Sequence, residues 1–312
     1  MILPGNAFDF KPASIKKKIF SLSFVLILLN ILTFISLSQS NHDKEIRSLL
    51  SQITQTSHLR QMQSMYIQSQ DEIEKEKAQS KLFEDPYAFL KDRLFWEKAQ
   101  KDIYHGDEIL IQSNRALLKQ LSQVYSKSNQ EVYGIGQTAQ TPWNWITYQF
   151  THANLFHLLN NIVFLFLIVA LLEKTISPGW IISVYLLSGV GAGVFYLFIS
   201  EGMSLPVVGA SGSIAGLMTF LCVTRGKQNI EWSYFFGPLK GLYGLIYMPA
   251  FFIIPFYLLS DLTAILNSSS GVSQSVAHSA HIGGALTGLI LSGLYLFERY
   301  VFFEFYNLKS KF

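Results

Sequence analysis

A single cysteine, Cys222, stands in a chain of 312 residues. That excludes an intrachain disulfide and any zinc site built on thiolates. Cys222 falls late in an apolar run and reads as a small buried residue. Blocks of like charge are missing too. The net charge is only +3, and the lysines and arginines behind it are scattered, so no nucleic-acid partner is expected. No His-Glu-x-x-His stretch occurs, which removes the usual signature of a zinc protease; we expect no metal and no cofactor. Around Ser211 the chain reads Gly209-Ala210-Ser211-Gly212-Ser213. It is not Gly-x-Ser-x-Gly, which argues against the nucleophile elbow of an α/β-hydrolase. The inverted repeats of a small-solute transporter are not visible either.

What the chain has in quantity is apolar sequence. Hydrophobic residues make up 50% and the mean hydropathy is +0.28, values that point to a membrane protein. Six apolar runs, at 20–37, 155–172, 180–199, 207–224, 245–266 and 276–297, approach the roughly 20 residues needed to cross a bilayer. The first follows a basic start (Lys11, Lys16, Lys17, Lys18) and precedes Ser36-Leu37-Ser38, as in a signal peptide, but its length favours an uncleaved anchor. Pro249 and Pro255 are expected to kink the fifth run. The loops after the second and fourth runs carry Lys174, Arg225, Lys227 and Lys240, whereas 201–206 and 267–275 carry no Lys or Arg. Six spans put all the basic segments on one side. The expectation is a multi-pass integral membrane protein with both termini cytoplasmic, set in a bacterial inner membrane.

Residues 39–141 are different material, rich in Gln, Ser, Lys and Glu. Ile46, Leu49, Leu50, Ile53 and then Leu59, Met62, Met65, Tyr66 recur at helical spacing, as do Leu117, Leu118, Leu121 and Tyr125. Asp85-Pro86 marks a break. These stripes predict a helical extramembrane insertion, a hairpin with its own local core. Gly134-Ile135-Gly136 reads as a flexible link, and Trp143 and Trp145 as anchors at the membrane surface. The predicted division is therefore a tail 1–19, a first membrane helix 20–38, the insertion 39–141, a core of helices 2–6 over 142–298, and a tail 299–312. The fold class is an all-α membrane protein, a six-helix bundle with a helical insertion between helices 1 and 2.

Polar residues inside the apolar runs carry the chemical argument, because they are costly there and face a partner or a water-filled cavity. Counted from the outer ends of their runs at 1.5 Å per residue, Ser211, His281 and His157 lie on the order of 6–10 Å deep, with Asn161 about a turn deeper. His157 and Asn161, four apart, share a helix face. A serine protease needs a base for its hydroxyl and donors for the oxyanion. Ser211 can supply the nucleophile and His281 the base, with no acidic third member. His157, Asn161 and the backbone N–H groups around Ser211 can face the oxyanion. Each residue also has a plainer reading as a packing polar group. His278 and His281 are three apart and could be weak ligands; His152 and His157, five apart, point in different directions. Asp261 reads as interfacial, and Glu173 and Glu298 as snorkelling carboxylates.

Taken together, the stretch from about Trp143 to Leu294 resembles the rhomboid family of intramembrane serine proteases. Gly209-Ala210-Ser211-Gly212 is similar to its G-x-S-G motif, whose serine is the nucleophile. Ala280-His281-Ile282-Gly283-Gly284, followed by Gly288, is similar to its A-H-x-x-G motif, whose histidine is the base. The segment from His152 through His157 to Asn161 is similar to H-x-x-x-x-H-x-x-x-N, whose second histidine and asparagine bind the oxyanion. The resemblance implies Ser211 and His281 as a catalytic dyad, His157, Asn161, Gly209 and Ala210 around the oxyanion, and His152, Gly212, His278 and Gly284 in support. Two positions depart from the pattern: Asn144 follows Trp143 where many members have arginine, and Ala215 stands where some carry an aromatic ring. The implied activity is endoproteolysis of transmembrane helices of other proteins, which must unwind to expose an amide, with the lipid bilayer as the other partner. The alternative is a non-catalytic rhomboid-like protein that binds membrane helices.

Overall fold

The computed structural model describes residues 2–4, 21–38, 42–84, 86–136, 141–199, 206–225, 229–235, 243–249, 251 and 272–309. The first helix, α1 (Leu22–Ser38), is followed by a cluster of six helices: α2 (His42–Ile53), α3 (Thr56–Gln68), α4 (Glu72–Glu84), α5 (Arg93–Lys101), α6 (Glu108–Tyr125) and α7 (Asn129–Tyr133). Then come the short α8 (Asn144–Thr147), the long apolar α9 (Leu155–Leu172) and α10 (Pro178–Ile199), the shorter α11 (Ser211–Arg225), and α12 (Val272–Lys309).

The helical cluster follows from local signals. Asp107 opens α6 by accepting from the N–H of Ile109 and Leu110 at 2.9 and 3.2 Å, and Asp92 opens α5 by accepting from Phe95 N–H at 3.1 Å. Such caps satisfy donors that a helix start leaves unpaired. The amphipathic stripes then close on one core containing Ile53, Met62, Met65, Phe89, Phe95 and Leu118. Phe95 meets Tyr66 and Phe89 edge to face at 5.3 and 6.1 Å. The cluster is larger than the expected hairpin, because the break near Pro86 is filled by a 3-10 turn (Ala88–Lys91) and α5. It is tied to the first helix by Asn129, which donates to the Leu37 carbonyl at 2.7 Å.

A second core joins α1, α9, α10, α11 and α12. Among the described residues, three stretches are long and apolar enough to cross a membrane: Leu155–Leu172, Pro178–Ile199 and His278–Val301, with Leu22–Leu37 a shorter apolar helix. The chain is a helical membrane protein. α9 coincides with the second apolar run. α10 starts two residues before its run, since Pro178 supplies the fixed φ that suits a first helical position. α11 begins at Ser211 rather than Val207. The last helix runs on to Lys309, past the expected end at 297.

A small antiparallel sheet departs from the all-α expectation. β1 (Ile2–Pro4) pairs with β2 (Asn229–Phe235), which pairs with β3 (Tyr243–Pro249) in the register Asn229↔Pro249 to Phe235↔Tyr243. The start of the fifth apolar run is therefore strand. Apart from Phe251, the rest of that run with Pro255 and Asp261, the loop 201–205, Lys227, Lys240, Asp85 and the basic tail residues Lys11, Lys16, Lys17 and Lys18 lie outside the described residues. Glu173 and Glu298 do more than snorkel. Glu173 accepts from the N–H and hydroxyl of Ser23, both at 3.1 Å, and Glu298 accepts from the Trp180 indole at 2.9 Å. Glu173 ties the end of α9 to the start of α1, and Glu298, within α12, is tied to the start of α10.

Candidate active site

Ser211 opens α11, and the residues before it are not helical. Gly209 has φ +121°, a left-handed conformation that side chains disfavour, and its N–H donates to the Tyr148 carbonyl at 2.8 Å. Helix bonding begins with Ile214 N–H donating to Ala210 O at 2.9 Å. The N–H groups of the first turn have no intrahelical acceptor, so they end at the bend that carries the half-buried Ser211 hydroxyl.

α12 lies parallel to α11 at backbone distance. Gly284 faces the Gly212 carbonyl, and four residues on Gly288 faces the Gly216 carbonyl. No side chain fits between those backbones. Ala280 O stands 3.6 Å from where a Gly212 Cβ would be. In this register the residue after Ala280, His281, sits one helical turn before Gly284 on the same side of α12, level with the Gly209–Ser211 bend. α10 completes the contact: Ala192 abuts Gly212, and Ser188 abuts Gly216. Small residues allow this approach where no hydrophobic effect drives helices together.

The third wall is α9. Asn154 caps it, accepting from His157 N–H at 2.9 Å, which fixes the first turn and so the direction of the His157 ring. A Cβ built on Gly209 would stand 2.6 Å from His157 Cε1, 2.8 Å from Nε2 and 3.7 Å from Asn161 Nδ2. The glycine is thus required twice, by its φ and by the ring above it. Asn161 is buried, and its amide also donates to the His157 carbonyl at 2.9 Å. The structure brings His157 and Asn161 together over the bend before Ser211.

His152 departs from the expected divergence. Its ring lies 5.2 Å from that of His157, edge to face, because residues 152–154 are not helical. Burial first, then the His157 ring beside it, pushes the His152 imidazole down to about 3. It is a neutral donor, with Nδ1–H given to the Phe150 carbonyl at 3.2 Å. The His278 ring stands 6.3 Å from His281. Among the described residues no group of three or more His, Cys, Asp or Glu side chains converges as metal ligands would.

Two residues that the sequence did not single out complete the site. Gln149 is fully buried. Its amide donates to the carbonyls of Trp145 and Leu186 at 2.8 and 3.3 Å, and it accepts from the Ser213 hydroxyl at 3.0 Å. Tyr148 donates to the Gly189 carbonyl. Together they lock α8, α10 and the start of α11. A polar residue beside tryptophans was the only available signal.

The chemistry open to this arrangement is nucleophilic. It offers a hydroxyl at a helix start, an imidazole level with it on a touching helix, and polar N–H groups gathered over one bend. The Gly209 N–H is already committed to Tyr148, so the glycine contributes its shape and not a donor.

Residues 139–298 match the family model of the Rhomboid domain. The chain is 29% identical over 150 residues to RHOMBOID-like protein 2 of Arabidopsis thaliana, covering 48% of this chain and 41% of that protein. It is 28% identical over 157 residues to RHOMBOID-like protein 6, mitochondrial, from the same plant (50% and 44%), and 27% identical over 158 residues to Rhomboid-like protein 11, chloroplastic (48% and 51%). The matched stretch spans about half or less of each relative's length. The Rhomboid-domain match over residues 139–298 contains α8 through most of α12 and every residue of the site above, and on that match the chain belongs to the rhomboid family.

Proposed function

We propose that the protein is an intramembrane serine endopeptidase that cuts transmembrane segments of other membrane proteins through a Ser211–His281 dyad. His281 takes the Ser211 proton as Oγ attacks the scissile carbonyl carbon. The oxyanion is met by the His157 imidazole, the Asn161 amide and the N–H groups of Ala210 and Ser211. His281 returns the proton to the leaving amine, an acyl-enzyme remains on Ser211, and water releases it by the same steps in reverse order. The observation that carries this reading is the convergence of His157 Nε2 and Asn161 Nδ2 on the bend of positive φ that precedes Ser211. Donors placed where negative charge develops are worth far more in a dry site than in water.

Six spans with both termini cytoplasmic suit this chemistry. They open the site to the outer face, where water enters and the outer end of a substrate helix arrives. That helix must unwind locally, since helical amides are already hydrogen-bonded. Small residues at the cut bond are the substrate class implied by the family. Purified protein in lipid, incubated with a single-span reporter, tests the proposal, with the cut located by mass spectrometry. Ser211→Ala and His281→Ala are each expected to abolish cleavage while insertion persists. Asn161→Ala is expected to lose about 2.7–4 kcal/mol of transition-state stabilisation. Undiminished cleavage by Ser211→Ala refutes the dyad. Failure of a fluorophosphonate to label Ser211 in the wild-type chain favours the non-catalytic alternative.

A further inference from the structure

Between the helical cluster and the membrane helices, residues 132–136 form a strap whose backbone is held from two sides. On one side is α8. The buried Asn144 amide donates to the carbonyls of Val132 and Gly134 at 2.9 and 2.8 Å. Its oxygen accepts from Thr141 N–H at 3.0 Å and from the Thr141 hydroxyl. An asparagine side chain has two donor hydrogens and two acceptor lone pairs, and here all four are used. The Thr147 hydroxyl shares its one hydrogen between the Trp143 carbonyl at 3.1 Å and the strap carbonyl between Val132 and Gly134, Tyr133 O, at 3.2 Å.

On the other side is the loop leading to Ser211. Ile135 and Val207 exchange both backbone hydrogen bonds, at 3.0 and 2.8 Å. Gly134 and Gly136 lie bare against Pro206, which a Cβ on either would meet at 2.9 and 3.1 Å. The Gly-Ile-Gly stretch is therefore a close-fitting bridge and not the flexible link expected of it. The Ile135 side chain is fully buried in a cluster with Tyr148, Ala192, Tyr196 and Ala280. Val207 is four residues before Ser211, and Ala280 adjoins His281. Ile135 is thus hydrogen-bonded to the loop before Ser211 and shares a buried cluster with the residue beside His281.

We propose, resting on the reading of Ser211 and His281 above, that Asn144 is a positioning residue: it clamps the strap so that Ile135 holds the Ser211 loop and the His281 helix in register. The clamp acts on the geometry of the nucleophile and not on capture of substrate. Small misplacements of reacting groups are costly, on the order of 10²-fold for an ångström.

The test compares wild-type, Asn144→Ala, Thr147→Val and Ile111→Val proteins in lipid. Three readouts are taken: kcat and KM on the single-span reporter, the rate of Ser211 labelling by a small fluorophosphonate, and hydrogen exchange at the Val207 amide. Asn144→Ala is expected to lose kcat by on the order of 10- to 100-fold with KM nearly unchanged. Labelling should slow by a similar factor and Val207 exchange should quicken. Thr147→Val, which removes one strap bond, is expected to shift each readout the same way by less. Ile111→Val softens the helical core without touching the strap and is expected to shift none. Unchanged labelling in Asn144→Ala, a loss confined to KM, or an equal loss in Ile111→Val overturns the proposal. A wild-type chain that takes no label overturns the Ser211 reading and this inference with it.

Discussion

The two cores of this protein are built from opposite materials. In the helical cluster, large side chains do the packing: Phe89, Phe95, Met62 and Met65 are fully buried, and aromatic edges meet faces. Around Ser211 the interfaces are made by what is missing. Gly212 meets Gly284, Gly216 meets Gly288, and Ala192 closes the third side. Water explains the first design, since removing apolar area from it is the main driving force for folding. Lipid explains the second. Apolar side chains gain little by leaving hydrocarbon for one another, so helices associate by close backbone approach and by internal polar bonds such as Gln149 to Ser213. The lesson is that volume holds one core and contact distance holds the other.

Substitutions can break that contrast in a graded way. Gly284→Leu sets a branched side chain where the Gly212 carbonyl stands. It is expected to abolish reporter cleavage by parting α11 from α12, while hydrogen exchange in residues 42–125 stays as in wild type; retention of more than a tenth of the activity would show that the close approach is dispensable. Phe95→Ala removes volume from the other core. It is expected to cost about 3–5 kcal/mol, read as faster exchange confined to the helical cluster. Trp180→Phe deletes the indole bond to Glu298, and a double-mutant cycle with Glu298→Gln should give a coupling of about 1 kcal/mol. The smallest effect belongs to Lys77→Ala. Its ion pair with Glu74, 2.7 Å long, is exposed at both ends, and stability should move by no more than about 0.5 kcal/mol.

How much of this was readable beforehand depended on range. α9 was legible to the residue, because a polar cap, an apolar run and a terminal Glu-Lys are all local. The register of Ser211 was not. Val207 and Val208 count as apolar in any conformation, so hydropathy extended the helix back over them. What ends it at Ser211 is the pairing of Val207 with Ile135, 72 positions before Val207 in the chain, and a φ that only the fold imposes on Gly209. The same blindness made a membrane helix of residues 245–249, which are strand. An apolar run reads alike as buried strand or helix, and only pairing with β2 decides it. The motif histidines and the serine were found as residue types, but their wall of support was not. Asn144 looked like a lost arginine because its partners, the carbonyls of residues 132 and 134, are backbone and carry no identity a sequence can display.

The hydrogen-bonded carboxylates Glu173 and Glu298 have a consequence for depth. Each binds next to the α9–α10 turn, so that turn can serve as a common zero for height. His157 stands sixteen residues up α9 from Glu173, and His281 seventeen residues up α12 from Glu298, which at 1.5 Å per residue is about 24 and 26 Å. Two imidazoles from distant parts of the chain thus share a storey, measured without reference to any lipid. With the turn at one border of a hydrocarbon layer about 30 Å thick, both rings stop a few ångströms short of the opposite border. A helix arriving there would need to yield only its last turn.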